Sequence, residues 1–420
     1  TLGCPKKVQL IELGPGRGTM MADMLRASAR FRPFLDALSV HMVDSSEQLQ
    51  EIQRKRLSTG SKKDERTVKH DGTGVTIHWH NALSEVPISK DATSIIIGQE
   101  FLDCMPVRHF VKTEKGWCEK LVDEAPADSP KHFRFVLSKG PTPAAKICLR
   151  KELIPDLPDK PKDWEGIEVS PEAWWAAQEI AKRVHATQGA ALFIDYGNDG
   201  HATDTLQALK DHKAVDVLSR PGQCDLTAHV DFSSVKRASL DWCPHLAAVV
   251  PMEAGGSAAS IMPSADELKA MMASLQELEV LYAKLKSQGK DMSMERELLH
   301  KLEQVKKKLR NSAPPLTSDS SAPTKAASAK ASAAANALFA HGPVSQCDFL
   351  HGLGVRERAQ ALFDAAKDDA AKESIMKQYE RLTSPAEMGS LFKVLAITSN
   401  KIPTGTMPGF AMPGARDTRS

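Results

Sequence analysis

Glu12 is followed by glycine at positions 14, 16 and 18, and that spacing fixes what the first part of the chain can build. Val8 to Leu13 is a short apolar run that ends around an acid. Gly14-Pro15-Gly16-Arg17-Gly18 then breaks it, and Met20, Met21, Met24 and Leu25 recur at helical spacing. This reads as a buried strand, a tight turn and a helix start. In open α/β sheets such a handover lies at the crevice where ligands bind. Glycine lets a ligand approach the backbone there and takes φ > 0 without penalty.

A dinucleotide fingerprint would space its glycines G-x-G-x-x-G. Here the pattern is E-x-G-x-G-x-G with Pro15 inside it. It resembles the first motif of S-adenosylmethionine-dependent methyltransferases, in which the acid serves the positively charged methionine end of the cofactor. The alternative is a glycine-rich turn with no ligand.

Further strands end in polar residues in the same manner. Leu38 to Val43 stops at Asp44, an acid placed to grip ribose hydroxyls or to cap the next helix. Glu51 to His70 reads as a charged helix running into a solvated loop. Val75 to His80 alternates as a strand ending at Asn81, which could take an adenine amino group. His78 and His80 have metal-like spacing, but with no third ligand nearby they are better read as strand histidines facing one side of the sheet, so no metal is expected. Ser94 to Gly98 is a continuous apolar run, as expected of a strand buried on both faces. It empties into Glu100 and Asp103, which could hold a guanidinium bidentately or cap a helix running towards Pro106.

Arg108 to Val111, Trp117 to Val122 and Phe133 to Leu137 read as a β-flap excursion, and Trp164 to Val184 as an amphipathic helix starting around Ser170-Pro171. Ala190 to Gly197 is another strand, ending in Asp195-Tyr196-Gly197. In Pro221 to Phe232, His229 and Asp231 are either a base and its orienter or local hydrogen-bonding struts.

Fifty-five basic against 53 acidic residues give a net charge of +2, which offers no electrostatic case for nucleic acid. No apolar run approaches the roughly 20 residues that span a bilayer. The seven cysteines are odd in number and never spaced C-x-x-C, which points to a reducing compartment without a disulfide framework or zinc site. A strand almost at residue 1 suggests that a preceding N-terminal part, with any targeting segment, is missing. Residues 1–235 form the first part of an α/β core, 236–340 an insertion and 341–420 its C-terminal part. Within the insertion, Ser264 and Glu267 form a capping box before stripes over 264–310 that read as an antiparallel helical hairpin, a site for a partner helix. The Ala/Ser-rich tract over 311–335 is expected to be disordered.

Ile11 to Thr19, Glu100 to Val107, Ala191 to Gly197, Asp204-Thr205-Leu206, Pro221 to Phe232, Gly342 to Arg358 and Met388 to Ile397 together resemble the MidA-like methyltransferases. That family includes a mitochondrial protein arginine methyltransferase acting in respiratory complex I assembly. The resemblance implies a class I, Rossmann-like methyltransferase sheet and S-adenosyl-L-methionine as cofactor. It also implies symmetric dimethylation of an arginine on a complex I subunit, and the mitochondrial matrix. On these positions Gly14, Gly16 and Gly18 make room for the cofactor, Glu12 serves its amino end, Asp44 its ribose and Asn81 its adenine. Glu100 and Asp103 hold the substrate. The sequence departs from the family in three places: a helical portion with a Gly-Asp-Phe motif is absent, Gln99 stands where relatives often carry Asn or His, and residues 236–340 replace a short connection. The last is a lineage-specific insertion or a gene-model artefact. The competing reading is a non-catalytic assembly scaffold that keeps the fold.

Overall fold

β1 (Val8–Leu13) is buried at all six positions. The chain turns through Gly18, at φ 72°, into α1 (Thr19–Ser28), whose Met21 and Leu25 pack against the sheet. After α2 (Arg32–Ala37), β2 (Leu38–Val43) runs parallel to β1, in register from Val8↔Leu38 to Leu13↔Val43. α3 (Glu47–Leu57) follows, capped by Ser46, whose hydroxyl accepts the Leu49 N–H. β3 (Thr67–Lys69) pairs antiparallel with β4 (Thr76–His80), and β4 lies parallel to β2. β5 (Thr93–Gln99) runs parallel to β1 on its other side, so four strand ends share one edge.

This computed structural model describes residues 4–241, 338–399 and 407–410, apart from 63, 130, 151–153, 155–156, 158–165, 202 and 212. They fall into two compact units, one drawn from residues 1–107, 173–244 and 330–420 and the other, among the described residues, from 108–172. The expected hairpin over 264–310 and the tract over 311–335 lie outside the described residues.

The second unit is a small antiparallel sheet. β6 (Arg108–Thr113), β7 (Gly116–Glu124), β8 (Phe133–Leu137) and β9 (Gly166–Val169) are ordered β8-β7-β6-β9, with α4 (Pro143–Cys148) against β7. The flap strands thus form as expected and the helix starts at the expected Ser170-Pro171, but β9 occupies residues 166–169, the part of the 164–184 span before that start. Its Ile167 and Val169 are buried. Pro171 has no N–H and biases the residue before it to extended backbone, so the helix α5 (Pro171–Thr187) begins only there.

In the first unit β10 (Ala190–Asn198) lies parallel to β5. A three-stranded sheet of β11 (Gln207–Lys210), β12 (Lys213–Val215) and β13 (Asp225–Thr227) follows, and then β14 (Val230–Asp231) and α6 (Phe232–Asp241). β15 (Leu338–Ser345) leads into α7 (Gln346–Gly352), α8 (Val355–Asp364), α9 (Asp369–Thr383) and α10 (Met388–Leu391), and β16 (Phe392–Ser399) returns antiparallel to β10 and β15. The large sheet is ordered β15-β16-β10-β5-β1-β2-β4-β3, with β14 beside β10. It is the mostly parallel, doubly wound α/β sheet that the motifs imply. Ile11, Ile96, Phe193, Leu395 and α5 residues Ala177, Ile180 and Val184 form the core on one face, and Leu10, Met42, Ile77, Trp79, Met21 and Leu25 on the other.

Between β4 and β5 the crossover carries only a one-turn 3-10 helix, Leu83–Glu85. Its carbonyls are gathered by Arg183 of α5, 3% exposed, which donates to Pro87 O at 3.1 Å, to Leu83 O at 3.3 Å and to Val86 O.

Candidate functional site

The glycine turn leaves β1 in the left-handed region, at φ 60° for Gly14 and 52° for Gly16. A Cβ at Gly16 would meet no atom within 4 Å, so this backbone faces open space. Gly14 lies under Phe101, 3.4 Å from where its Cβ would stand. Just before the turn Glu12 is 2% exposed and its Oε2 has no hydrogen-bond partner. Burial alone pushes its carboxyl up to about 8. A buried carboxylate oxygen without a donor is costly and marks a place where a cationic donor would fit.

Asp44 and Asn81, at the ends of β2 and β4, are tied to this turn by two side chains that sequence reasoning missed. Gln53 donates to Asp44 Oδ2 at 2.9 Å and to Gly16 O at 2.8 Å, and accepts the Trp79 indole N–H at 3.0 Å. Gln50 donates to Asp44 O at 2.6 Å and to Asn81 Oδ1 at 3.0 Å. Both glutamines are buried. The segment from Glu51 onward had read as a charged helix with no chemistry. The available signal was the pair of uncharged glutamines at i and i+3, beside Leu49 and Ile52 in a run of charges. Asp44 Oδ1 accepts the Ser46 N–H at 2.9 Å, but the helix cap is Ser46.

The two acids after β5 lie on a turn. Residues 100–106 contain no helix, which removes their reading as helix caps. Glu100 is exposed, with φ at 48°, the left-handed region that a glutamate enters only under constraint. Neighbouring protein atoms, and then the charge of Asp103, raise its pKa, while Gln99 and Arg381 pull it down. The Asp103 carboxylate is half-hidden. Thr227 donates to its Oδ2 at 2.8 Å, and its Oδ1 is buried with no partner. Asp195, 1% exposed at the end of β10, sits behind the turn. Its Oδ2 accepts the N–H groups of Phe101, Leu102 and Asp103 at 3.1, 2.9 and 3.3 Å, and its Oδ1 that of Tyr196 at 3.0 Å. Burial, then Asp103, raises the Asp195 pKa, and these donors lower it. The Tyr196 phenol is also pushed up, by burial and by Asp103, to which it hydrogen-bonds.

His229 and Asp231 do not form a pair with each other. His229 packs edge-on against the Tyr196 ring, 5.6 Å between centroids, and its backbone N–H reaches Thr205 Oγ1 at 3.0 Å. Asp231 holds the start of α6 through Ser233 and Ser234 and lies 2.7 Å from His201 Nδ1. Those bonds hold its carboxyl down at about 2 against the pull of burial. The strut reading holds. His78 and His80 share one sheet face with His41: His41 Nδ1 lies 3.0 Å from His80 Nε2, and the His41 and His78 rings stack at 4.9 Å. Burial, then neighbouring His78, His80 and Arg183, pushes His41 down to about 3.

Residues 1–245 match the family profile described as "putative S-adenosyl-L-methionine-dependent methyltransferase". The chain is 40% identical over 238 residues to the rat and to the human mitochondrial protein arginine methyltransferase NDUFAF7, covering 54% of this chain and 51% of each relative. Against the fruit-fly homologue, also named mitochondrial, it is 35% identical over 244 residues, 56% of this chain and 53% of that one. The chain therefore spans about half the length of these curated relatives. A superfamily member from Burkholderia thailandensis solved with S-adenosyl-homocysteine bound superposes with a TM-score of 0.58 at 22% identity, over 98% of this chain and 76% of that chain. At that identity it speaks for the fold.

Proposed function

Because the chain belongs to this family of S-adenosyl-L-methionine-dependent methyltransferases, whose profile spans residues 1–245, we propose that it is a protein arginine N-methyltransferase with S-adenosyl-L-methionine as cofactor. The observation that carries the reading is the shared edge of β1, β2, β4 and β5. It brings the unpaired oxygen of buried Glu12, the open backbone at Gly16, Asp44, Asn81 and the acids Glu100 and Asp103 to neighbouring strand ends. The names of the relatives support arginine as acceptor and the mitochondrion as location. The finer reading is symmetric dimethylation of an arginine on a complex I subunit, in the matrix and in service of complex I assembly, with the inserted segment as a docking element.

The residues present fit the cofactor. When bound, S-adenosyl-L-methionine supplies a methyl already activated by its sulfonium. Glu12 would accept the ammonium of its methionine end. Gly14, Gly16 and Gly18 would keep side chains out of its space, Asp44, held by Gln53, would take the ribose hydroxyls, and Asn81, held by Gln50, the adenine. Glu100 and Asp103 would compensate the guanidinium charge while one nitrogen is aimed in line with the methyl, a task of position and electrostatics.

Calorimetry with S-adenosyl-L-methionine and S-adenosyl-homocysteine tests the first half, and absent binding of both would end the reading. The second half is tested by Glu100→Gln in a peptide methylation assay. Glu100 is exposed in the free chain, so the cost arises once the substrate covers it: a guanidinium then left uncompensated costs on the order of 3–5 kcal/mol. Transfer should therefore fall by about two to three powers of ten while cofactor affinity stays within about twofold. Normal transfer by Glu100→Gln would refute the clamp.

A further inference from the structure

The turn that carries the two acids is held from behind. Its three successive N–H groups, Phe101, Leu102 and Asp103, converge at 3.1, 2.9 and 3.3 Å on a single oxygen of Asp195, which is 1% exposed. Consecutive backbone N–H groups curled around one anion form a nest, a geometry usually offered to a bound ion and here filled by a side chain of the protein itself. The turn is pinned at both ends as well. The Glu100 N–H donates to Ile194 O at 2.9 Å, extending the β5–β10 ladder by one rung, and the Ala228 N–H donates to Asp103 O at 3.0 Å. The Asp103 side chain is then oriented by the Thr227 hydroxyl at 2.8 Å and by the Tyr196 phenol.

The consequence appears at Glu100. Its φ of 48° is a conformation that a glutamate keeps only when its surroundings over-determine it, and such strain gathers where a side chain must be held for a task. The bonds that over-determine it come from Asp195 and Ile194 on β10 and from the segment ending β13. None of these groups lies on the glycine turn or on β2 and β4, where the cofactor residues sit. Apart from the Phe101 ring, which lies over Gly14, the bonds that hold the acids are thus separate from those that hold the cofactor residues.

We propose that Asp195 and Thr227 are positioning residues of the substrate site: Asp195 sets the backbone of residues 100–103, and Thr227 sets the carboxylate of Asp103. This rests on the reading of Glu100 and Asp103 as the guanidinium clamp. A displacement of about 1 Å at such a site is enough for roughly a hundredfold loss of rate.

The experiment compares Asp195→Ala and Thr227→Val with wild type by three readouts: steady-state methylation of an arginine peptide panel, calorimetric titration with S-adenosyl-L-methionine, and amide hydrogen exchange at residues 101–103. For Asp195→Ala the expected result is a kcat lower by about a hundredfold, cofactor affinity within about twofold, and faster exchange at the three amides while those of β1 and β5 keep their protection. For Thr227→Val a kcat lower by about tenfold is expected, with cofactor affinity and amide exchange unchanged. Wild-type kcat in either variant would overturn the role given to that residue, and so would a loss of cofactor affinity in step with kcat. If Asp195→Ala fails to fold, Thr227→Val decides. A wild-type chain that binds the cofactor yet methylates no arginine peptide would instead bring down the clamp reading, and the positioning roles with it.

Discussion

Glu12 and His41 are both polar, 2% and 5% exposed, and one position apart in register on neighbouring strands, since Ile11 pairs with His41 and Glu12 with Met42. They therefore point to opposite faces of the sheet, and their circumstances differ. His41 has partners at both ring nitrogens, His80 at 3.0 Å and Ser39 at 3.3 Å, inside a stack of three imidazoles. Glu12 has an oxygen with none. The chain has closed one buried polar group with its own side chains and left the other for something it does not contain. Buried polar groups in folded proteins are nearly always satisfied. The unsatisfied one lies beside an open glycine turn, which is what the proposed cofactor role of Glu12 requires.

The contrast predicts opposite responses to pH. The Glu12 carboxyl, at about 8 when folded against an ordinary 4.5, binds its proton more tightly in the folded chain. Its stabilising contribution is full below pH 4.5 and is lost as pH rises towards 8, a span of roughly 4–5 kcal/mol. Denaturant unfolding from pH 6.5 to 8, above the range in which His41 contributes, should show this decline, and Glu12→Gln should reduce it, leaving the share of buried Asp195. A Glu12→Gln profile parallel to that of wild type would mean that burial does not hold the Glu12 proton as described here. Next in size, Gly16→Val should weaken cofactor binding at least a hundredfold, about 2.7 kcal/mol, because a β-branched residue at φ 52° is strained and fills the open space. Wild-type calorimetric affinity would break the link between the orphan acid and its turn.

His41 has the reverse sign. Its folded value of about 3 lies below the ordinary 6.5, so its contribution is present above pH 6.5 and lost as pH falls through that range. Between pH 6.5 and 5 the loss is about 2 kcal/mol, and His41→Gln should remove it from denaturant unfolding over that range. If that variant keeps the slope, another group is responsible. Smallest is Asp231→Asn, a satisfied group like His41. It should lower stability by about 1 kcal/mol and leave methyl transfer within about twofold. A large loss of transfer would return Asp231 to the chemistry and blur the contrast.

What could be read from the sequence was what neighbours in sequence determine. Glu12 and its glycines are adjacent, so strand, turn and helix were legible, and so were Asp44, Asn81 and the two acids at strand ends. Side chains whose meaning depends on distant partners were not. Gln53 matters because Trp79 and Gly16 meet it, 26 and 37 residues away. Asp195 read as a strand end because its donors lie more than 90 residues earlier. β9 was lost for a local reason: four residues before a proline, following a run of Pro, Lys and Asp, give too short a pattern to separate from a helix start.

Arg183 reaches back 96 to 100 residues to the carbonyls of the β4–β5 crossover. In most α/β units that connection would be a helix satisfying its own backbone as it forms. Here the segment after Asn81 must wait for a guanidinium that follows about 100 residues later in the chain. Contacts of such sequence separation form only after the loop between them has closed. The end of the crevice at Asn81 should therefore acquire its final shape late in folding, after α5 has docked. Pulse-labelled amides around Leu83 to Pro87 would then gain protection after those of β1 and β2.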